Sequence, residues 1–98
     1  MNATPIPRDQ LMRQIADKFP RLFLKTSEEF DRSKRNAIWT SAEDGCAEDG
    51  RLLFSYYAED FREITYVLGV HRVMLQILDA AGWYAEFYDP GTVMIYVK

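Results

Sequence analysis

Only two side chains here are of types that do covalent or metal chemistry with little help: the single histidine, His71, and the single cysteine, Cys46. An imidazole can act as a general base or a metal ligand, and Asp60 or Glu63 would be the carboxylate partner of His71 in a small hydrolytic site. Zinc needs about three or four Cys, His or carboxylate ligands at set spacing. The sequence has no such set, so neither a metal nor a cofactor is expected. The plainer reading of His71 is a partly exposed residue in the first turn of a helix. Cys46 stands between Glu43-Asp44 and Glu48-Asp49. A reactive thiolate is stabilised by positive neighbours, so Cys46 reads as a solvated loop thiol.

Other catalytic patterns are missing. There is no Gly-rich phosphate loop, dinucleotide fingerprint or nucleophile elbow. Asp79, Glu86 and Asp89 are carboxylates near the end, but nothing in the spacing sets two of them across a cleft, as glycoside cleavage requires. The expectation is a protein that is not an enzyme.

Two groups of residues are suited to binding. Residues 42–50 read Ala-Glu-Asp-Gly-Cys-Ala-Glu-Asp-Gly, the same tetrapeptide twice. The run lacks the alternating ligands and terminal bidentate Glu of a helix-loop-helix calcium site. As a solvated loop, its Glu43, Asp44, Glu48 and Asp49, joined by Glu59, Asp60 and Glu63, would form a negative patch that steers a basic partner. The second group is the tyrosines of the last two strand-like runs. Alternation places Trp83, Ala85 and Phe87 on one face, and Tyr84, Glu86 and Tyr88 on the other. Val93, Ile95 and Val97 likewise alternate with Thr92, Met94 and Tyr96. One face is aliphatic and suits a core. The other would show Tyr84, Glu86, Tyr88, Met94 and Tyr96 to solvent, a composition that protein interfaces favour. Cross-strand packing on a wet sheet face is the bland alternative.

These side chains need elements to hold them. Pro5 and Pro7 make residues 1–7 an extended lead-in. Leu11, Met12, Ile15, Ala16 and Phe19 recur at helical spacing from residue 8 or 9 to about 19, and Pro20 ends that helix. Residues 21–25 suit a short strand or a turn. Thr26-Ser27-Glu28-Glu29 resembles a helix start, with a hydroxyl cap and early carboxylates, so a short helix or a connector follows. Residues 37–41 and 52–57 read as strands. Ile64–Leu68 is β-branched and aromatic, which favours a strand before a helix over 70–81; one long helix over 59–81 is the alternative, with Gly69 costing it about 1 kcal/mol. Gly82 is a helix stop. Residues 83–88 and 92–97 form a hairpin around Asp89-Pro90-Gly91, where Pro presets φ and Gly accepts positive φ. The order α-β-β-β-α-β-β predicts one small α+β domain over residues 1–98. Its sheet of about four to five strands is mostly antiparallel, with helices on one face.

Bulk properties narrow the class. Ninety-eight residues suit one domain, and 48% hydrophobic with 14% aromatic content is enough to fill a core. One cysteine cannot staple its own chain, the first residues lack the order of a secretory signal, and no apolar run nears the roughly 20 residues of a membrane span. A cytoplasmic protein is expected. Net charge is −3, but residues 1–35 carry +3 and residues 36–98 carry −6. Arg32, Lys34 and Arg35 could touch phosphate, and a helix followed by a hairpin over 70–97 resembles a winged helix. Its positive residues are only Arg72 and Lys98, so nucleic-acid binding is not favoured.

Small, acidic toward its end and aromatic-rich, the chain resembles in type the short accessory proteins of phages and other mobile elements, some of which inhibit host complexes by binding them. That resemblance implies a binder, an inhibitor or adaptor, and not an enzyme. The readings that remain are a protein-binding module, a homo-oligomerising structural protein such as a homodimer, and, behind these, a winged-helix-like nucleic-acid binder or a minor enzyme using His71.

Overall fold

The computed structural model describes residues 4–56 and 66–98. α1 (Arg8–Lys18) buries Leu11 and Ile15 and gives way at Phe19, just before Pro20. β1 (Leu24–Thr26) settles residues 21–25 as a turn entering a strand. α2 (Ser27–Phe30) is the short helix that the cap pattern predicts: the Thr26 N–H and hydroxyl both donate to Glu29 Oε2, each at 3.2 Å. Then come β2 (Ile38–Ser41), β3 (Tyr66–Val67), β4 (Val70–His71), α3 (Arg72–Ala81), β5 (Trp83–Asp89) and β6 (Thr92–Val97). Four strands form one antiparallel sheet in the order β1-β2-β6-β5, while β3 and β4 pair separately. The chain is the small α+β domain expected.

One core lies on one side of the sheet. Leu11 and Ile15 of α1, Met74, Leu78 and Ala81 of α3, and Ile38, Trp83, Val93 and Ile95 of the sheet make a single buried cluster. Burying one such aliphatic side chain contributes about 1.5–3 kcal/mol. The Trp83 indole N–H donates to the Ile6 carbonyl at 2.9 Å, tying the proline-rich lead-in to the start of β5.

Residues 66–71 cannot belong to a long helix. Leu68 (φ 51°) and Gly69 (φ 82°) are both left-handed and form a two-residue hairpin turn. The strand-then-helix reading therefore holds only in outline from Tyr66 on: Leu68 lies in the turn, Val70 and His71, expected in the helix, form β4, and the helix begins at Arg72; residues 59–65 lie outside the described residues. The strand expected over 52–57 is corrected. Leu52 and Phe54 make only single bridges, to Cys46 and Val70. Leu53 and Phe54 are both buried, but neither belongs to a continuous ladder. The segment instead threads the core, with the Leu53 N–H on the Gly45 carbonyl and the His71 N–H on the Leu53 carbonyl. Tyr57 lies outside the described residues.

The 27–37 loop is fixed from within. Ser27, fully buried, donates its hydroxyl to the Lys34 carbonyl and accepts the Ala37 N–H. Glu28 accepts the Asn36 N–H at 2.9 Å and the Arg8 guanidinium at 2.7 Å, joining loop to α1. The Asn36 N–H, Glu28's own N–H and then Arg8 pull the Glu28 carboxyl from its ordinary 4.5 down to about 2.

Two outcomes follow. A Cβ on Gly69 would stand 2.7 Å from the Phe87 ring and 2.8 Å from the Ser55 carbonyl, whereas one on Gly50, at a similar φ, meets nothing within 4 Å. In urea unfolding, Gly50→Ala should cost about 1 kcal/mol and Gly69→Ala at least about 2 kcal/mol; equal losses would contradict the packing. A carboxyl more acidic when folded stabilises the fold above its unfolded pKa and ceases to as pH falls through the folded value. Stability should thus decline from near pH 4.5 toward pH 2. Glu28→Gln should flatten that part of the urea-midpoint profile; an unchanged slope would remove Glu28 from the acid response.

Candidate functional site

The outer face of the sheet is less bare than alternation suggests. One row crosses it as Lys25, Trp39, Met94 and Glu86. Met94 is 1% exposed, so the expectation that it faces solvent is corrected. The reason is a second, smaller aromatic cluster that covers this side. The Phe30 ring meets Trp39 at 5.1 Å and Tyr88 at 5.0 Å, and Phe23 meets Trp39 at 4.8 Å, all edge-on. Ser27 and Glu28 hold the loop that delivers Phe30.

What stays open is the outer edge of the β5–β6 hairpin. Tyr84 (39% exposed) packs on the partly buried Tyr96 at 5.7 Å, Glu86 is exposed, and Tyr88 is 55% exposed while carrying Lys34 at 5.2 Å from its ring centre. Of the five hairpin residues singled out from sequence, Tyr84, Glu86 and Tyr88 are at the surface, Tyr96 is partly so and Met94 is not.

The acidic loop does not form one patch. Ala42, Gly45 and Ala47 are buried, so residues 42–50 are anchored rather than merely solvated. Gly45 packs on Leu22 and Leu53, and the Ala47 N–H donates to the Arg51 carbonyl at 2.8 Å. This anchoring turns the four carboxylates apart. The Glu43 carboxylate lies over the hairpin turn at Gly91, toward Asp89. Asp44 borders a hollow with Lys18, Arg21 and Cys46, and Cys46 is a free, exposed thiol as expected. Glu48 and Asp49 line another, about 260 Å³, with Lys18, Phe19, Val73 and His71. Glu59, Asp60 and Glu63 lie outside the described residues.

His71 differs from its expected place. It is the N-cap of α3, only 5% exposed, and its carboxylate is Asp49. Nδ1 accepts the Val73 N–H at 3.1 Å, and Nε2 lies 2.8 Å from Asp49 Oδ2. An acceptor at Nδ1 fixes the neutral ring's proton on Nε2, which donates to Asp49. This hydrogen bond, followed by the Arg51 N–H, holds the Asp49 carboxyl below its ordinary value. Tyr66 stands edge-on to the ring at 5.6 Å, its hydroxyl donates to the Leu52 carbonyl at 2.7 Å, and burial raises its pKa. A general base needs a free nitrogen facing substrate, and both nitrogens here are engaged inside the protein. The histidine and its aspartate tie the acidic loop to the start of α3. Among the described residues, no three His, Cys, Asp or Glu side chains group as a metal site.

Leu68 and the outer aromatic cluster escape sequence reading. A lone Leu beside Gly gives no sign of which of them occupies a hairpin tip. Phe30, the sole apolar residue between Ser27 and Asn36, was the available sign of a loop folded back on the sheet. No protein family, curated protein or solved structure matches this chain. No helix among the described residues is long and apolar enough to cross a membrane.

Nitrogen-detected imidazole spectra of the neutral ring should show a protonated Nε2 and a bare Nδ1. The opposite tautomer would refute the cap. Loss of an N-cap side chain costs about 1 kcal/mol, so His71→Ala should lower stability by at least that. His71→Asn, which can still cap, should lose less.

Proposed function

We propose that this chain is a non-catalytic protein-binding module, of inhibitor or adaptor type, acting through the outer face of the β5–β6 hairpin. The observation that supports this most is the exposed Tyr84, packed on the partly buried Tyr96 and beside the exposed Glu86. Two large amphipathic rings with a carboxylate between Tyr84 and Tyr88 stand on paired strands, so little side-chain freedom is lost on docking. Glu86, with Asp89 and Glu43 at the turn, makes the adjoining rim negative, and the partner surface is accordingly basic. Tyr88 is less suited to be an anchor, because Phe30 and Lys34 already occupy its ring. The His71 geometry supports the non-catalytic half: the single histidine caps a helix.

The check is affinity capture from the native host with the wild-type chain and a Tyr84→Ser, Glu86→Arg double variant of unchanged circular dichroism. A genuine partner should be retained by the first and lost, by at least about tenfold, with the second, as removal of interface anchors predicts. Equal retention by both would refute this face.

A further inference from the structure

The two edges of the main sheet differ. β1 is three residues long and carries Lys25, the short and charged form of edge that resists pairing. β5 is seven residues long, Trp-Tyr-Ala-Glu-Phe-Tyr-Asp, with no Lys, Arg or Pro. Its hydrogen-bonding parity can be read from its neighbours. The Lys98 N–H donates to the Gly82 carbonyl, and the Ala42 N–H to the Gly91 carbonyl. Alternation along an antiparallel ladder then turns the backbone groups of Tyr84 and Glu86 toward β6, and those of Trp83, Ala85 and Phe87 outward. Among the described residues, no hydrogen bond to those outward groups is seen.

We propose that β5 pairs with β5 of a second copy, antiparallel about a two-fold axis at Ala85, to give a continuous eight-stranded sheet. Three registers near the middle of the strand satisfy the parity. Centring on Glu86 sets two like charges directly opposite, which is destabilising. Centring on Tyr84 sets each Glu86 opposite Gly82, whose left-handed φ of 80° has already left the strand, so the pairing ends there. Centring on Ala85 places Tyr84 opposite Glu86 of the second copy, twice, and Phe87 opposite Trp83.

The last pairing accounts for Leu68. This residue is 92% exposed at a left-handed φ, a position that suits Asn or Gly. Gly69 packs on the Phe87 ring, so Leu68 sits at the Phe87 end of β5. Pairing about Ala85 brings it alongside Trp83 of the other copy. There an open hollow of about 490 Å³ has an apolar wall of Pro5, Ile6, Pro7, Trp83 and Val97 and a polar one of Arg8, Asp9 and Asn36. The knob and the hollow then meet twice across one axis, as a closed two-fold interface requires. The dimer does not depend on the proposed partner: sedimentation of the purified chain reads it with no partner present.

Sedimentation from micromolar to millimolar concentration should show a monomer–dimer equilibrium, and a monomer throughout would overturn the proposal. In a Cys46→Ser background, Tyr84→Cys mixed with Glu86→Cys should form a disulfide-linked pair under mild oxidation, because facing residues of this parity have Cα atoms about 4.5 Å apart. Linkage in Tyr84→Cys alone, or in Glu86→Cys alone, at equal or greater yield would overturn the Ala85 register. Ala85→Pro removes one outward N–H that has no partner among the described residues, and should abolish the dimer while keeping the monomer's circular dichroism. Where that variant fails to fold, the cysteine pairs still decide.

Discussion

The structure turns on β6 being apolar on both faces. Val93 and Ile95 are fully buried on one side and Met94 on the other. A strand in that position cannot sit at an edge or leave one face wet, so β2 and β5 flank it and both faces need covers. α1 and α3 supply one cover, built from Leu11, Ile15, Met74 and Leu78. For the other, the one further helix among the described residues is the single turn of α2, whose last residue, Phe30, does the covering. Phe30 is laid over Trp39 and Tyr88 by a turn whose polar groups are satisfied internally through Ser27 and Glu28. The aromatic richness of the sequence is explained by this need, since one ring covers what a helix face otherwise would.

The same economy governs the polar residues. His71 and Asp49 resemble two parts of a catalytic site when read as residue types. In the fold they close a loop onto a helix end. His71 begins α3 with its own ring, where Ser, Thr, Asp or Asn is the usual choice. A larger cap reaches farther, and Nε2 gains Asp49 from a loop 22 residues earlier. The acidic loop is thereby held by a side-chain pair as well as by Gly45 and Ala47 in the core. Its carboxylates point where that anchoring leaves them, which is why four acids close in sequence give separate surfaces.

Local signals with one strong cause were legible. Pro20 and Gly82 set helix ends, Asp89-Pro90-Gly91 set a turn, and Thr26 with Glu29 set a short helix. Alternation correctly placed Tyr84, Glu86 and Tyr88 outside and Val93 and Ile95 inside. It failed at Met94 because alternation assigns a side and says nothing of what covers it; the cover comes from Phe30, at the end of α2 and distant in sequence. The strand read over 52–57 from its strand-forming residues failed too, because Leu53 and Phe54 bind a loop and a hairpin instead of the sheet. His71 was placed near a helix start, but its partner Asp49 is fixed by the route of the intervening chain, which no spacing rule encodes.

Leu68 shows where local and global preferences part. A left-handed Leu costs about 1–2 kcal/mol relative to an ordinary backbone, and at 92% exposure it recovers none of this through burial in its own core. The neighbouring Gly69 is held by close contact with Phe87 and Ser55, so the turn itself is set by packing. Position 68 is then free of any demand from the fold except a positive φ, which Asn or Gly would meet at lower cost. A residue that opposes its backbone and touches no core is most simply explained by a contact outside the chain. The proposed pairing would supply one, since the tip lies at one end of the only long unprotected edge among the described strands and a hollow walled in part by Pro5, Ile6 and Trp83 opens at the other.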